Sequence, residues 1–437
     1  MVKLASRPEF IAIRALFFLA PLITLLAPLT TVPVLIVLSI ACVMTALMNG
    51  QRPRELFRLD LGLALFAVVA VYLFINATWS LDPSRAFGKA AWFSLIVLMT
   101  FAACRALGTW PERQLRAAFA AFLAGLVAGG AIVLIEVVTG QLLTRLLFNL
   151  LPFTRPDSAK TLGIKDGFVF RIAAFELNRN VAVMLLMLWP VLLCLSRLKE
   201  RRWRLLGIVG LCLAVGIAIL FSEHQTSKIG LGLSAIVFLI ALPWPTLTRR
   251  AIWIGWCLAF VLVVPLASAA HQAQLHQADW LPFSAKARVI LWAYTAEQIP
   301  KTPILGIGIA STRKNDKTLP KVEKPEGYVY AWRAGSHSHN QFLQTWYELG
   351  AVGVILLIAA GTSVFGYIGR LSVRLQPFIF AHLTAFLVIA AFSWGMWQSW
   401  LMAVTGLAAI YAAFAVNVSA AEARVPERAA GAPETST

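Results

Sequence analysis

Apolar runs of about 20 residues, the length that crosses roughly 30 Å of hydrocarbon, recur along nearly the whole chain, separated by short basic or Pro/Gly-containing breaks. The pattern predicts twelve membrane-spanning helices, over 13–29, 32–48, 61–79, 86–104, 117–139, 180–196, 204–221, 227–243, 251–268, 347–369, 377–393 and 397–416. The stretch APLTTVP, Ala27 to Pro33, admits two readings: a loop between the first two helices, or a kink within one tilted segment. Two long segments interrupt the series, 140–179 and 269–346. Residues 1–416 are therefore expected to form a single transmembrane domain, and 417–437, ending in a run rich in Ala, Glu, Pro and Thr, a disordered tail. Inside the second long segment, SAKARVILWAYTAEQIP predicts a further helix, with Ser284 as N-cap and Val289, Trp292, Ala293, Ala296 and Ile299 at helical spacing. Such a helix suits a membrane surface, with Arg288 on its opposite side.

Composition agrees: 59% of the 437 residues are hydrophobic and 13% charged, against about 45–50% and about 25% in soluble domains. The fold class is all-α, a polytopic bundle. A formal net charge of +18 would also suit a nucleic-acid binder, but its distribution argues against one. With a cytoplasmic amino terminus, the inner loops hold Arg52, Arg54, Arg58, Arg105, Arg113, Arg116, the RLKERRWR run from Arg197 to Arg204, Arg249, Arg250, Arg370 and Arg374. The short outer loops hold only Arg85, Lys89 and Lys228. That asymmetry puts both termini in the cytoplasm and both long segments outside, the first span serving as targeting signal. All five cysteines (Cys42, Cys104, Cys194, Cys212, Cys257) fall in or beside predicted spans, so neither a disulfide framework nor a zinc site is expected.

The polar passage HSHNQFLQTWYELG, His337 to Gly350, stands where the chain re-enters the membrane. His337 and His339 are two apart and share a side in extended chain. A metal pair lacks an accompanying carboxylate or third histidine, so a neutral histidine acting as base fits better, and no cofactor is expected. Gly306 and Gly308 allow a tight turn but no dinucleotide fingerprint follows them. Arg179 and Lys228 begin the sixth and eighth spans; cations so close to hydrocarbon imply a shared anion or a wet cavity, or else snorkel to headgroups. His224 reads as a solvated loop residue, His382 as a helix-packing group, and His271 and His276 as composition only.

The passage HSHNQFLQTWYELGAVGVIL resembles the H-N-x-x-L…E-x-G segment of the O-antigen ligase and O-antigen polymerase superfamily, and ARVILWAYTAEQIPKTPILGIGIAS resembles its R-x-x-x-W…P-x-x-G-x-G segment. The likeness is specific from Ser284 to Gly350 and elsewhere rests on topology. It implies a GT-C-like membrane glycosyltransferase of the bacterial inner membrane that needs neither nucleotide sugar nor metal. Its donor would be a glycan on undecaprenyl diphosphate, its acceptor a hydroxyl of lipid A-core. His339 would be the general base, Arg288 the holder of the donor diphosphate, and Glu348 the E-x-G glutamate, with Asn340 and His337 in support. Lys228 stands where ligases commonly carry arginine, so a bidentate grip becomes a point charge. Arg179 would add to the diphosphate site. Trp280, Trp292 and the apolar face of the Ser284 helix would border a groove for the polyprenyl chain. The lysines from Lys314 to Lys324 either meet a phosphorylated acceptor or form a solvated loop. Ligation to lipid A-core is favoured over polymerisation of repeat units, transfer to protein, and transport, whose expected mid-membrane ionisable groups are missing save His382.

Overall fold

A computed structural model describes residues 8–156, 161–320 and 324–430. The fold is helical: α1 (Pro8–Leu26), α2 (Thr31–Met48), α3 (Leu61–Ala77), α4 (Pro83–Gly108), α5 (Glu112–Val138), α6 (Asn178–Leu195), α7 (Arg201–Phe221), α8 (Gln225–Ala241), α9 (Pro245–Gln272), α10 (Phe283–Gln298), α11 (Gln341–Gly369), α12 (Gln376–Phe392) and α13 (Ser399–Ala430). Among the described residues, eight helical segments are long and apolar enough to cross a membrane, and four shorter apolar helices complete the set. Each predicted span has its helix. Between α1 and α2 the chain makes a separate turn over Pro28–Thr30, so the first pair is two helices. The chain is a multi-pass membrane protein.

Burial sorts these helices. α6 is buried at every position from Asn180 to Leu195, as a helix apolar on all sides must be when others surround it. α9 buries only Thr248, Phe260 and Ala267 and leaves its leucines outward. The arginine-rich turns share one end of the bundle: Arg105 pairs with Asp60 at 2.7 Å, and Asn49 bonds Gln114 at 2.8 Å. At the other end Thr31 Oγ1 donates to the Trp400 carbonyl (3.0 Å), Ser80 Oγ to the Ile309 carbonyl (2.8 Å), and Lys89 Nζ to Ser399 Oγ (2.8 Å).

Three departures have local causes. Residues 162–172 form a small antiparallel hairpin, β1 (Leu162–Lys165) with β2 (Phe168–Ile172), held to the short helix Leu142–Leu150 by reciprocal bonds between the Asn149 side chain and the Val169 backbone. α10 starts at Phe283 after Pro282, so Ser284 lies inside the first turn and caps nothing. Its Val289, Ile290 and Leu291 are buried in succession, so α10 is packed against α9 and α11 on more than one face instead of resting a single stripe on lipid. The last helix runs past residue 416 to Ala430, where a tail is expected; 431–437 lie outside the described residues. All five cysteines are free thiols.

Candidate active site

The site is built around the start of α11. Asn340 is its N-cap, the side-chain oxygen accepting from the Leu343 amide at 3.0 Å, which assigns this residue to capping. Trp292 of α10 fixes the preceding loop by donating Nε1–H to the Ser338 carbonyl (2.8 Å). About two and a half turns further on the helix breaks at Gly350 (φ 64°, ψ −167°). The break leaves amides and carbonyls without helical partners, and residues 303–308 supply them. Ile307 N donates to Tyr347 O (3.0 Å), Gly308 N to Glu348 O (3.0 Å) and Ala351 N to Pro303 O (2.9 Å). Gly306 has φ +68°, and a Cβ there would strike the Glu348 backbone. The G-x-G and E-x-G patterns are therefore two halves of one backbone clasp.

Glu348 closes that clasp. It is 0% exposed. One carboxylate oxygen accepts from Thr312 N (3.0 Å), Thr312 Oγ1 (2.5 Å) and Gln344 Nε2 (3.3 Å), the other from Ala310 N (2.9 Å) and the Trp397 indole. A carboxylate with five donors is occupied, and has no lone pair to spare for substrate chemistry.

His339 differs. It takes φ +55°, in the left-handed region that non-glycine residues occupy at a cost of about 1–3 kcal/mol. Its Nδ1 lies 2.5 Å from the Ser393 carbonyl at the end of α12. A carbonyl only accepts, so Nδ1 carries the proton and Nε2 presents its lone pair, with no hydrogen-bond partner among the described residues. The His337 ring lies against it, centroids 4.1 Å apart. Gln398 reaches His337 Nε2 at 3.2 Å. His224, expected in solvent, is 5% exposed and is the third imidazole of the group. It bonds Ser227 Oγ (2.7 Å) and Ser393 Oγ (3.2 Å) and stacks on Trp394 at 5.0 Å. Its place at the turn into α8 looked exposed only because the aromatic cover comes from a loop about 170 residues away.

Electrostatics keep all three rings neutral. Burial lowers His339 to about 3, helped by its neighbours His337 and Arg288 and opposed by the Ser393 bond. Burial and the Arg288 charge bring His224 and His337 each to about 4. Arg288 thus sits among the imidazoles. Its own proton is held less firmly because it is buried, and its Nε has no hydrogen-bond partner among the described residues.

The other predicted cations gather near by. Lys228 lies one helical turn after His224 in α8. Arg179, at the start of α6, spreads over Trp400 at 5.9 Å, and Trp400 meets Trp394 edge-on at 4.8 Å; the Nε of Arg179 is also buried, with no hydrogen-bond partner among the described residues. Lys314, Lys317 and Lys324 are exposed, and Lys321 lies outside the described residues. His382 is buried in α12 against the Leu186 backbone. His271 and His276 are more than composition, stacking at 4.3 Å beside Tyr328. Trp280 is exposed at 75%. No group of three or more His, Cys, Asp or Glu among the described residues forms a metal-ligating set.

Sequence reasoning passed over Ser393 and Gln398, and gave Arg85 and Lys89 no role. The available signals were SWGMWQSW, a polar, tryptophan-rich break between two spans, and two cations four apart at the outer end of a largely apolar helix. Arg85, Lys89 and Arg313 line an open cleft of about 360 Å³ that also borders His337, Gln344, Gln398 and Trp400.

Comparison with known proteins adds a family. Residues 210–358 match the family model described as O-antigen ligase, a span that includes His224, Lys228, Arg288, His337, His339 and Glu348. A protein of Rickettsia conorii, named provisionally as a polysaccharide ligase, is 26% identical over 251 residues, 54% of this chain and 58% of that protein. A similarly named protein of Rickettsia felis is 25% identical over 236 residues, 52% of this chain and 55% of its own length. The alignments span a little over half of those relatives.

Proposed function

We propose, from the match of residues 210–358 to the O-antigen ligase family model and the likeness to proteins provisionally named polysaccharide ligases, that the chain is a polysaccharide ligase or polymerase type of enzyme that moves a glycan from undecaprenyl diphosphate to a hydroxyl of lipid A-core at the periplasmic face of the inner membrane. The observation that carries this reading is the pairing of Arg288 with His339. A buried guanidinium nitrogen without a partner among the described residues stands beside an imidazole whose Nδ1 is fixed and whose Nε2 is open. Buried polar groups are ordinarily satisfied, so this one calls for an anion.

The chemistry follows from that pair. Arg288, with Lys228 and Arg179 behind it, takes the donor diphosphate, and its charge balances the negative charge that grows as the bond from anomeric carbon to phosphate oxygen breaks. His339 Nε2 accepts the proton of the acceptor hydroxyl as that oxygen forms the new bond from the opposite face. The anomeric carbon inverts, the electron pair leaves with the diphosphate, and no metal is needed. Once the diphosphate offsets Arg288, protonation of His339 becomes easier than in the empty site, which suits a base that must hold a proton only during transfer.

The test uses a host lacking the gene and expressing wild type, His339→Ala or Arg288→Ala at matched membrane levels. Wild type should restore glycan on lipid A-core, with full-length glycan stranded on the polyprenyl carrier in both variants. A single stranded repeat unit in the deleted host identifies a polymerase instead, and normal function of both variants removes the site assignment.

A further inference from the structure

The cleft beside His337 has more positive charge than the donor site accounts for. Arg85 and Lys89 reach it from the first turns of α4 and Arg313 from the short helix Thr312–Thr318. Among the described residues that line it, the one carboxylate is that of Glu348, whose oxygens already serve five donors. Asp316, on the same short helix as Arg313, is taken by Arg333 at 2.6 Å. Lys89 holds only the Ser399 hydroxyl, and neither Arg85 nor Arg313 has an ion pair among the described residues. Three cations converge on a space where the described residues offer no free carboxylate.

Leu29 ties this cleft to a second, apolar space. It sits in the Pro28–Thr30 turn and lines the cleft, while its neighbours Ala27 and Thr30 line a groove between α1 and α2. The groove, about 380 Å³, is walled by Leu16, Leu19 and Ile23 on α1 and by Val34 and Val37 on α2. From Ala27 to Leu16 it follows the helix for about 16 Å at ~1.5 Å per residue, half of a roughly 30 Å hydrocarbon layer. A polar head and an apolar tail thus find adjoining places, one leaflet deep.

We propose that cleft and groove are one binding site for a phosphate-bearing membrane lipid, the lipid that carries the acceptor hydroxyl, with its phosphate among Arg85, Lys89 and Arg313 and a hydrocarbon chain between α1 and α2. The word acceptor rests on the transfer reaction proposed above; the lipid site rests on the cleft and groove themselves. It is separate from the place given to the donor diphosphate, and His337, on the cleft wall with its ring against His339, marks where the two meet.

The experiment uses the full chain in nanodiscs of neutral lipid. Binding is measured for lipid A, for the same lipid stripped of its phosphates, and for undecaprenyl diphosphate. Wild type should prefer phosphorylated lipid A by at least about tenfold. Combined Arg85→Gln, Lys89→Gln and Arg313→Gln should abolish that preference and leave undecaprenyl diphosphate within about twofold; Arg313→Gln alone, at an exposed position, should reduce it and guards against misfolding of the triple variant. Val34→Trp, filling the groove, should weaken both lipid A forms alike. The proposal falls if the triple variant keeps its preference, or if it loses undecaprenyl diphosphate instead, which makes the cleft the donor's. Failure of the transfer reading would show separately, as wild type that binds these lipids and transfers no glycan.

Discussion

Two buried polar centres, at His339 and Glu348, lie on α11 and its approach, and they are opposites. Around Glu348 every acceptor is used, by backbone amides, a hydroxyl, an amide side chain and an indole. Around His339 the polar groups are oriented but left over: Nε2 is open, the Nε of Arg288 and of Arg179 have no partner among the described residues, and the histidine backbone is held at positive φ. Burial alone does not mark a reactive group. What separates scaffold from site is whether the hydrogen-bonding capacity is spent.

The contrast is broken most severely at His339. His339→Ala is expected to lower glycan transfer by about 10²–10⁴-fold while the melting temperature in detergent stays near wild type, since only the Ser393 bond is lost and the positive-φ strain is undiminished. A large loss of stability with activity per folded molecule retained would reverse the assignment of the two centres. Glu348→Ala is expected to do that in its own place. It strands donors worth about 1–3 kcal/mol each when buried without a partner, so membrane levels and melting temperature should drop, and Glu348→Gln, which keeps one acceptor oxygen, should recover part of the loss. Ser393→Ala discriminates more finely. It removes the hydroxyl that meets His224 but keeps the carbonyl that fixes His339, so stability should fall by about 1 kcal/mol and transfer by less than about tenfold.

A last expected effect is on stability against pH. His224 and His337 stand at about 4 when folded, against an ordinary value of 6.5. Between those values the unfolded chain binds more protons, so stability rises with pH through this window and falls as the solution is acidified. Melting should be lower at pH 5 than at pH 7.5, and in the double variant His224→Gln, His337→Gln the difference should shrink. An unchanged difference would mean that other groups set it.

The helices were legible because each span repeats one instruction, a run of apolar residues longer than any loop between them. Even the base candidate was legible, since HSHN interrupts that instruction at a membrane boundary. The cover over the site was not. His224 is walled by Trp394 and bonded to Ser393, which belong to another turn of the bundle, and no local pattern around residue 224 reports them. Lys89 was discounted as a sparse outer charge for the same reason, because its partner Ser399 and the neighbouring Arg313 are distant in sequence. α10 misled in the other direction: its spacing fits a lipid-facing stripe, yet protein covers the remaining faces as well.

Ser393 meets His339 through its carbonyl and His224 through its hydroxyl, so both imidazoles hang from a single residue at the tip of α12. The two rings, brought in by the approach to α11 and by the turn into α8, thus share one anchor on a third helix, and a single residue ties three separate segments of the chain together at the site.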